Sequence, residues 1–265
     1  MIIRYVEPVR GDELAPQLPQ SRKMGIIPAM PIPTAEILQQ LAQVPLFRDL
    51  AEADLSAIYQ AGIPRQLGKD EFIFLQGDPA SHFYVVTGGH ARLTQLTPDG
   101  QQVIMRVIGA WQICGIVAFL GDETYPLSAQ AVEGCQVLGW RTQELRKWAA
   151  RHPVIAFNAM QWMAGHIKDT QERLSQMATE RVERRLARAL LRLAQQMGKR
   201  VPGGVLIDFP LSRQDLAEMS GTTLYTVSRL LSQWERDGLV DAGRERVLVR
   251  HPHGLVLIAE DIPPA

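Results

Sequence analysis

The sequence predicts an α+β chain built from an N-terminal β-roll, a long helix and a C-terminal winged helix-turn-helix. Three observations carry this. Between residues 63 and 140, short apolar runs alternate with glycine turns, the mark of a sandwich or roll. From Pro153 an apolar helical stripe runs for about three heptads. From Leu211 to Leu239 a cap, a glycine turn, a second cap and an apolar stripe follow in order. A chain of 265 residues has room for two ordinary domains. The expected divisions are an arm over 1–33, the roll over 34–150, the long helix over 151–178 and the winged helix-turn-helix over 179–265.

Residues 1–33 hold Pro8, Pro16, Pro19, Pro28, Pro31 and Pro33 with little periodicity, so a poorly ordered arm is expected, with residues 1–6 able to add an edge strand. Thr34 caps a helix with Ile37, Leu38 and Leu41 on its apolar side, and Pro45-Leu-Phe47 ends it. A second short helix covers about 51–61. Strands are expected over 72–75, 83–86, 91–96, 102–107, 127–132 and 136–140. The turns between them include Gln76-Gly-Asp-Pro79, Gly88-Gly89 and Thr97-Pro-Asp-Gly100.

Pro153 suits the first turn of a helix. Met160, Met163, Ile167, Thr170, Leu174, Met177 and Arg181 then recur at alternating three- and four-residue steps, a seam for a second helix. The alternative is that this stripe packs on its own roll. Thr179 reads as the break and cap before a further helix over 180–197. That helix turns Val182, Leu186, Ala189, Leu190 and Leu193 inward and Arg184, Arg185, Arg188 and Arg192 outward.

In the helix-turn-helix, Ser212 and Asp215 have capping-box spacing and Ser220-Gly221 makes the turn. Thr222 or Thr223 caps the second helix, whose stripe is Leu224, Val227, Leu230, Leu231 and Trp234. Its other face carries Tyr225, Thr226, Ser228, Arg229 and Ser232, polar and short-chained apart from one guanidinium. Such a face suits a DNA major groove, where an arginine can bond guanine O6 and N7 together. Thr223, Tyr225, Ser228 and Arg229 are the expected base readers. Ser212, Arg213, Gln214 and Thr222 are the expected phosphate contacts. Leu239-Val240 and Val247-Leu-Val249 form the wing.

Charge supports this. The whole chain is neutral, but residues 179–257 carry 13 basic and 9 acidic groups, net +4, against net −3 over 1–150. Positive charge therefore gathers where phosphate would be met. A net of +4 is modest and favours two copies per DNA site. Two cysteines give neither a disulfide framework nor a metal pattern, and no apolar run is long enough for a membrane. A cytoplasmic location is expected. No nucleophile elbow, HExxH or phosphate-binding glycine loop suggests an enzyme.

The order of these parts resembles the CRP/FNR superfamily of transcription regulators. Pro45-Leu-Phe47, Gln76-Gly-Asp-Pro-Ala80, Phe83-Tyr-Val-Val-Thr-Gly-Gly89 and Thr223-Leu-Tyr-Thr-Val-Ser-Arg229 carry the resemblance, which spans residues 44–258. It implies a cyclic-nucleotide-binding-like jelly roll and a homodimer joined along the long helix. It also implies a palindromic double-stranded DNA operator, contact with RNA polymerase, and a small signal acting through the roll. In cyclic-nucleotide-binding members a glutamate meets the ribose and an Arg-(Ser/Thr) pair meets the phosphate. Ile116 and Tyr125-Pro126 stand in those places, so an anion would lack a cation and cyclic nucleotide is not expected. A [4Fe–4S] cluster needs more cysteines than the chain has. Family members often carry a glutamate where Tyr225 stands, so the usual half-site is not expected either.

The segment from Phe119 to Val132 resembles the nitrate-respiration branch, which implies nitric oxide, carbon monoxide or redox sensing, with haem as one route. Cys114, Ile116, Tyr125 and His82 are the candidate sensor residues. Cys114 is either a small hydrophobe or a haem or redox ligand. His82 and His90 flank one hairpin as iron ligands or as turn histidines. The alternative to the whole reading is a roll that binds a ligand and regulates a partner protein without reading DNA.

Overall fold

Residues 32–121 and 123–262 are described by a computed structural model, and the arm and its expected edge strand fall almost wholly outside them. Helix α1 (Ala35–Gln43) is capped by the Thr34 hydroxyl, which accepts from the Ile37 amide. Pro45–Phe47 makes one 3₁₀ turn, and α2 (Glu52–Gln60) follows. The roll then runs through β1 (Ile63–Leu67), β2 (Phe72–Phe74), β3 (His82–Gly88), β4 (Ala91–Leu96), β5 (Gln102–Ile108), β6 (Ile113–Cys114), β7 (Ser128–Ala131) and β8 (Cys135–Arg141). Two four-stranded antiparallel sheets result, ordered β1-β8-β3-β6 and β2-β7-β4-β5.

The roll core is aromatic at its centre. Phe47, Phe83 and Trp140 pack with ring centroids 5.6 to 6.2 Å apart, and Trp140 Nε1 donates to the Ile58 carbonyl at 2.7 Å. Helix α3 (Thr142–Arg151) leads into α4 (Pro153–Thr179), with Pro153 in its first turn. Asn158 of α4 is buried and donates to the Leu46 and Arg48 carbonyls, fixing α4 to the 3₁₀ turn.

Helix α5 (Val182–Met197) opens the C-terminal part, followed by β9 (Gly198–Val201) and β10 (Gly204–Ile207). Then come α6 (Arg213–Ser220), α7 (Leu224–Arg236), β11 (Val240–Gly243), β12 (Arg246–Val249) and α8 (Pro252–Glu260). The sheet order β11-β12-β10-β9 makes the expected wing part of a larger sheet.

Several expectations need correction. Thr179 is the last residue of α4, with its hydroxyl donating back to the Ser175 carbonyl; α5 begins after Arg181, which sits in the break and outside the seam. The α5 arginines do not simply face water. Arg184 donates to the Ala259 carbonyl, Arg185 to those of Glu180, Ser220 and Gly221, and Arg188 holds Glu180 and Glu260. They secure α8 and the helix-turn-helix turn, because α8 covers the face that the sequence pattern left open. Leu224 lies in the first turn of α7, ahead of the packed stripe, and is 48% exposed.

Candidate nucleic-acid interface and ligand cavity

Helix α6 is held by a complete capping box. Ser212 Oγ accepts from the Asp215 amide at 3.0 Å, and Asp215 Oδ2 accepts from the Ser212 amide at 2.8 Å. Gly221 ends α6 at φ 60°, a left-handed conformation that glycine takes without cost. A Cβ there would meet Met177 Sδ at 2.9 Å, so the end of α4 lies directly against the helix-turn-helix turn. Thr223, rather than Thr222, caps α7 through the Thr226 amide.

Val227, Leu230, Leu231 and Trp234 are buried, each contributing about 1.5–3 kcal/mol of apolar burial. They lock α7 so that Tyr225 (77% exposed) and Arg229 stand in solvent, with Ser228 between them half-buried. The expected base readers therefore share one outward face, except that the Thr223 hydroxyl is engaged in capping.

The expected phosphate contacts lie at the start of α6 and in the turn before α7. Ser212 and Arg213 are half-buried, and Gln214 donates to Glu218. Helix α6 is also docked onto the roll. Arg92 of β4 donates to Asp215 at 3.2 Å, His90 packs on Phe209, and Ile104, Val107 and Val132 join the C-terminal core. His90, at the β3–β4 turn as expected, packs into this junction and bonds Glu133 at 2.6 Å.

The seam residues separate into two groups. Met160 (57%), Ile167 (60%) and Leu174 (70%) are exposed apolar side chains on one line of α4, with Thr170 among them. Met163 is half-buried, and Met177 divides its surface between solvent and Gly221. The roll does not cover this line.

A 440 Å³ cavity lies between the roll, α4 and α6, within the usual range for small-molecule sites. Cys114, Ile116 and Tyr125 all line it. Gly115 stands beside them at φ 74°, with the His82 carbonyl and the Tyr125 ring 3.1 and 3.2 Å from where a Cβ would be. The Tyr125 hydroxyl donates to the His82 carbonyl at 2.6 Å, and its ring stacks on Phe74 at 3.8 Å. Burial raises the pKa of both Tyr125 and Cys114, so each is neutral.

His82 is not part of the cavity wall. Its ring stacks on Tyr84 at 5.9 Å, and Nδ1 bonds Ser81 at 2.8 Å. The histidine that does line the cavity is His166 of α4. It is neutral: burial first, then Arg106, lower its pKa, and Nδ1–H donates to the Trp162 carbonyl while Nε2 faces Arg106. Arg106 and Arg173 also line the cavity, which overturns the expectation that no cation is present. They come from β5 and α4, outside the segment where the sequence motif places its cation. The 4-3-4 spacing of Trp162, His166, Asp169 and Arg173 was legible as a second stripe on α4.

Haem does not fit the ligands proposed for it. Cys114 lines the cavity and His82 does not, so the two do not converge on one site.

Comparison with known proteins agrees with this architecture. Residues 64–152 match the cyclic nucleotide-binding domain and residues 184–258 the Crp-like helix-turn-helix domain. The cyclic AMP receptor protein of Thermus thermophilus is 30% identical over 208 residues, 78% of this chain and 92% of that protein. The anaerobic regulatory protein of Bacillus subtilis is 25% identical over 205 residues, 77% and 86% of the two chains. The structure of FixK2 from Bradyrhizobium japonicum superposes with a TM-score of 0.66 at 25% identity, covering 74% of this chain and 96% of that one. The chain belongs to the CRP/FNR family of DNA-binding transcription regulators. Members of this family bind DNA as dimers. The relatives named are regulators, and no described helix is long and apolar enough to cross a membrane.

Proposed function

We propose that this protein is a cytoplasmic homodimeric regulator that reads a palindromic operator with α7, meets RNA polymerase there, and answers a small effector in the cavity. The observation that carries the reading is the outward Tyr225–Arg229 face of a helix whose other side is locked by buried Val227, Leu230, Leu231 and Trp234. In this reading residues 34–150 sense, 151–178 dimerise and 179–265 bind DNA. Arg229 bonds guanine, Tyr225, Ser228 and Thr223 contact neighbouring bases, and Ser212, Arg213, Gln214 and Thr222 hold phosphates. Met160, Met163, Ile167, Thr170, Leu174 and Met177 form the partner-facing seam.

In this reading the Arg92–Asp215 pair holds the helix-turn-helix against the roll. Nitric oxide, carbon monoxide or redox control through haem, the branch that Phe119–Val132 resembles, lacks a converging ligand pair. The cavity favours an organic effector instead. A roll that regulates a protein partner without DNA finds no support among the relatives named above.

Binding-site selection with wild type and Arg229→Ala tests the reading. Loss of the guanidinium should cost about 1–3 kcal/mol and relax one base pair in each of two half-sites about one helical turn apart. An Arg229→Ala protein with unchanged sequence preference would refute α7 as the reading helix.

A further inference from the structure

Three guanidiniums from three elements meet behind the cavity. Arg106 comes from β5, Arg173 from α4 and Arg192 from α5, and each is half-buried. Arg106 and Arg173 line the 440 Å³ cavity; Arg192 joins them at an adjoining 20 Å³ recess. Among the described residues, no carboxylate oxygen lies within 4.0 Å of any of the three. Their hydrogen bonds go to neutral groups: Arg106 to His166, Arg173 to the Met105 carbonyl, and Arg192 to Gln176 Oε1 at 3.5 Å. Arg92, Arg184, Arg188 and Arg250 each hold a carboxylate, whereas these three, which meet at one cavity and its recess, do not.

Physical chemistry makes this an unfinished site. Burial lowers the pKa of all three. Arg173 adds repulsion on Arg106 and Arg192, and Arg192 is pushed down to about 10. All three still carry charge at neutral pH. Two carboxylates, Asp169 and Glu218, also line the cavity and balance Arg106 and Arg173 in formal charge, but neither bonds a guanidinium. Asp169 offsets part of this repulsion without bonding any of the three, and a carboxylate bonded to the guanidiniums would remove the rest. The other walls are apolar or aromatic, including Phe74, Ile116, Tyr125 and Trp162, whose ring stacks on His166 at 3.4 Å.

We infer that the effector is a small aromatic carboxylate, its carboxylate held by Arg106 and Arg173 and its apolar body against Trp162, Tyr125 and Phe74. This rests on the regulator reading above and names the class of its signal. Two planar guanidinium forks on one wall match a carboxylate. Cyclic nucleotides are anions too, but a ribose hydroxyl would face Ile116 and Pro126 and lose its partner. The occupant would touch Glu218 and Met219 of α6 and Thr170 and Leu174 of α4 at once. Filling the cavity therefore bears on the docked helix-turn-helix and on the seam together.

Calorimetry on the full chain tests this with naphthylacetate, its neutral counterpart naphthylethanol, and cAMP. Naphthylacetate should bind about tenfold or more tightly than the alcohol, with cAMP weakest. Arg106→Gln with Arg173→Gln should bring acid and alcohol to equal affinity. Equal affinities in the wild type, a preference that survives the double substitution, tightest binding by cAMP, or no binding of the acid at millimolar concentration would each overturn the inference. The wild-type comparison stands even if the double variant does not fold. Salt-dependent DNA retention measured on the same wild-type preparation separates the two readings, because its failure would remove the regulator while leaving the acid-over-alcohol result intact.

Discussion

Removing Arg92 should release the helix-turn-helix from the roll. The guanidinium donates to Gln130 Oε1 at 2.9 Å, which aims it from the sheet, and to Asp215 Oδ1 at 3.2 Å across the junction. Both side chains are mostly hidden, at 21% and 17% exposure. At an intermediate dielectric the attraction is about 4 kcal/mol, most of it offset by desolvation. An exposed pair would be worth less than about 1 kcal/mol, and breaking a fully buried one would cost about 3–5 kcal/mol. This pair lies between, so Arg92→Ala should cost the docked arrangement about 1–2 kcal/mol, a shift of about 5- to 30-fold. Asp215→Asn is a poorer probe alone, since Asp215 also accepts from the Ser212 amide. Hydrogen exchange should accelerate at the junction of residues 102–108 with 213–220, and DNA affinity without effector should rise by a similar factor. Unchanged exchange, with a coupling energy to Asp215→Asn below about 0.3 kcal/mol, would refute the latch.

Other predictions follow from the same geometry. Ile167→Glu with Leu174→Glu puts charge on the exposed line of α4 and should give monomers in sedimentation; a persistent dimer would place the interface elsewhere. The two buried tryptophans should respond differently to phenylalanine. Trp234 Nε1 has no hydrogen-bond partner, so Trp234→Phe should cost under about 1.5 kcal/mol, whereas Trp140→Phe orphans the Ile58 carbonyl and should cost about 1–3 kcal/mol more, measured by urea unfolding. Burial and Arg106 hold the His166 pKa below its usual 6.5. The unfolded chain then binds the extra proton, so stability should be complete above pH 6.5 and fall as pH drops below it, a slope that His166→Gln should reduce.

Much of this protein is written locally. Caps, glycine turns and apolar periodicity depend on neighbours within a few residues, so Thr34, Ser212, Gly221 and the α7 stripe were readable from the chain alone. The exposed line of α4 and the outward face of α7 follow from the same periodicity. Short elements escaped because their propensity is weak: β6 is two residues long and β9 forms only by pairing with β10. Tertiary structure alone decided what met at the cavity. Arg106, His166, Arg173 and Arg192 are spread over nearly ninety positions and come together only when β5, α4 and α5 pack. The same packing left His82 out of the cavity wall, set His90 against Phe209, and tied the α5 arginines to α8. A side chain's charge is a property of the sequence, but its desolvation and its partners are set by elements distant along the chain, so the chemistry of the site had to wait for the fold.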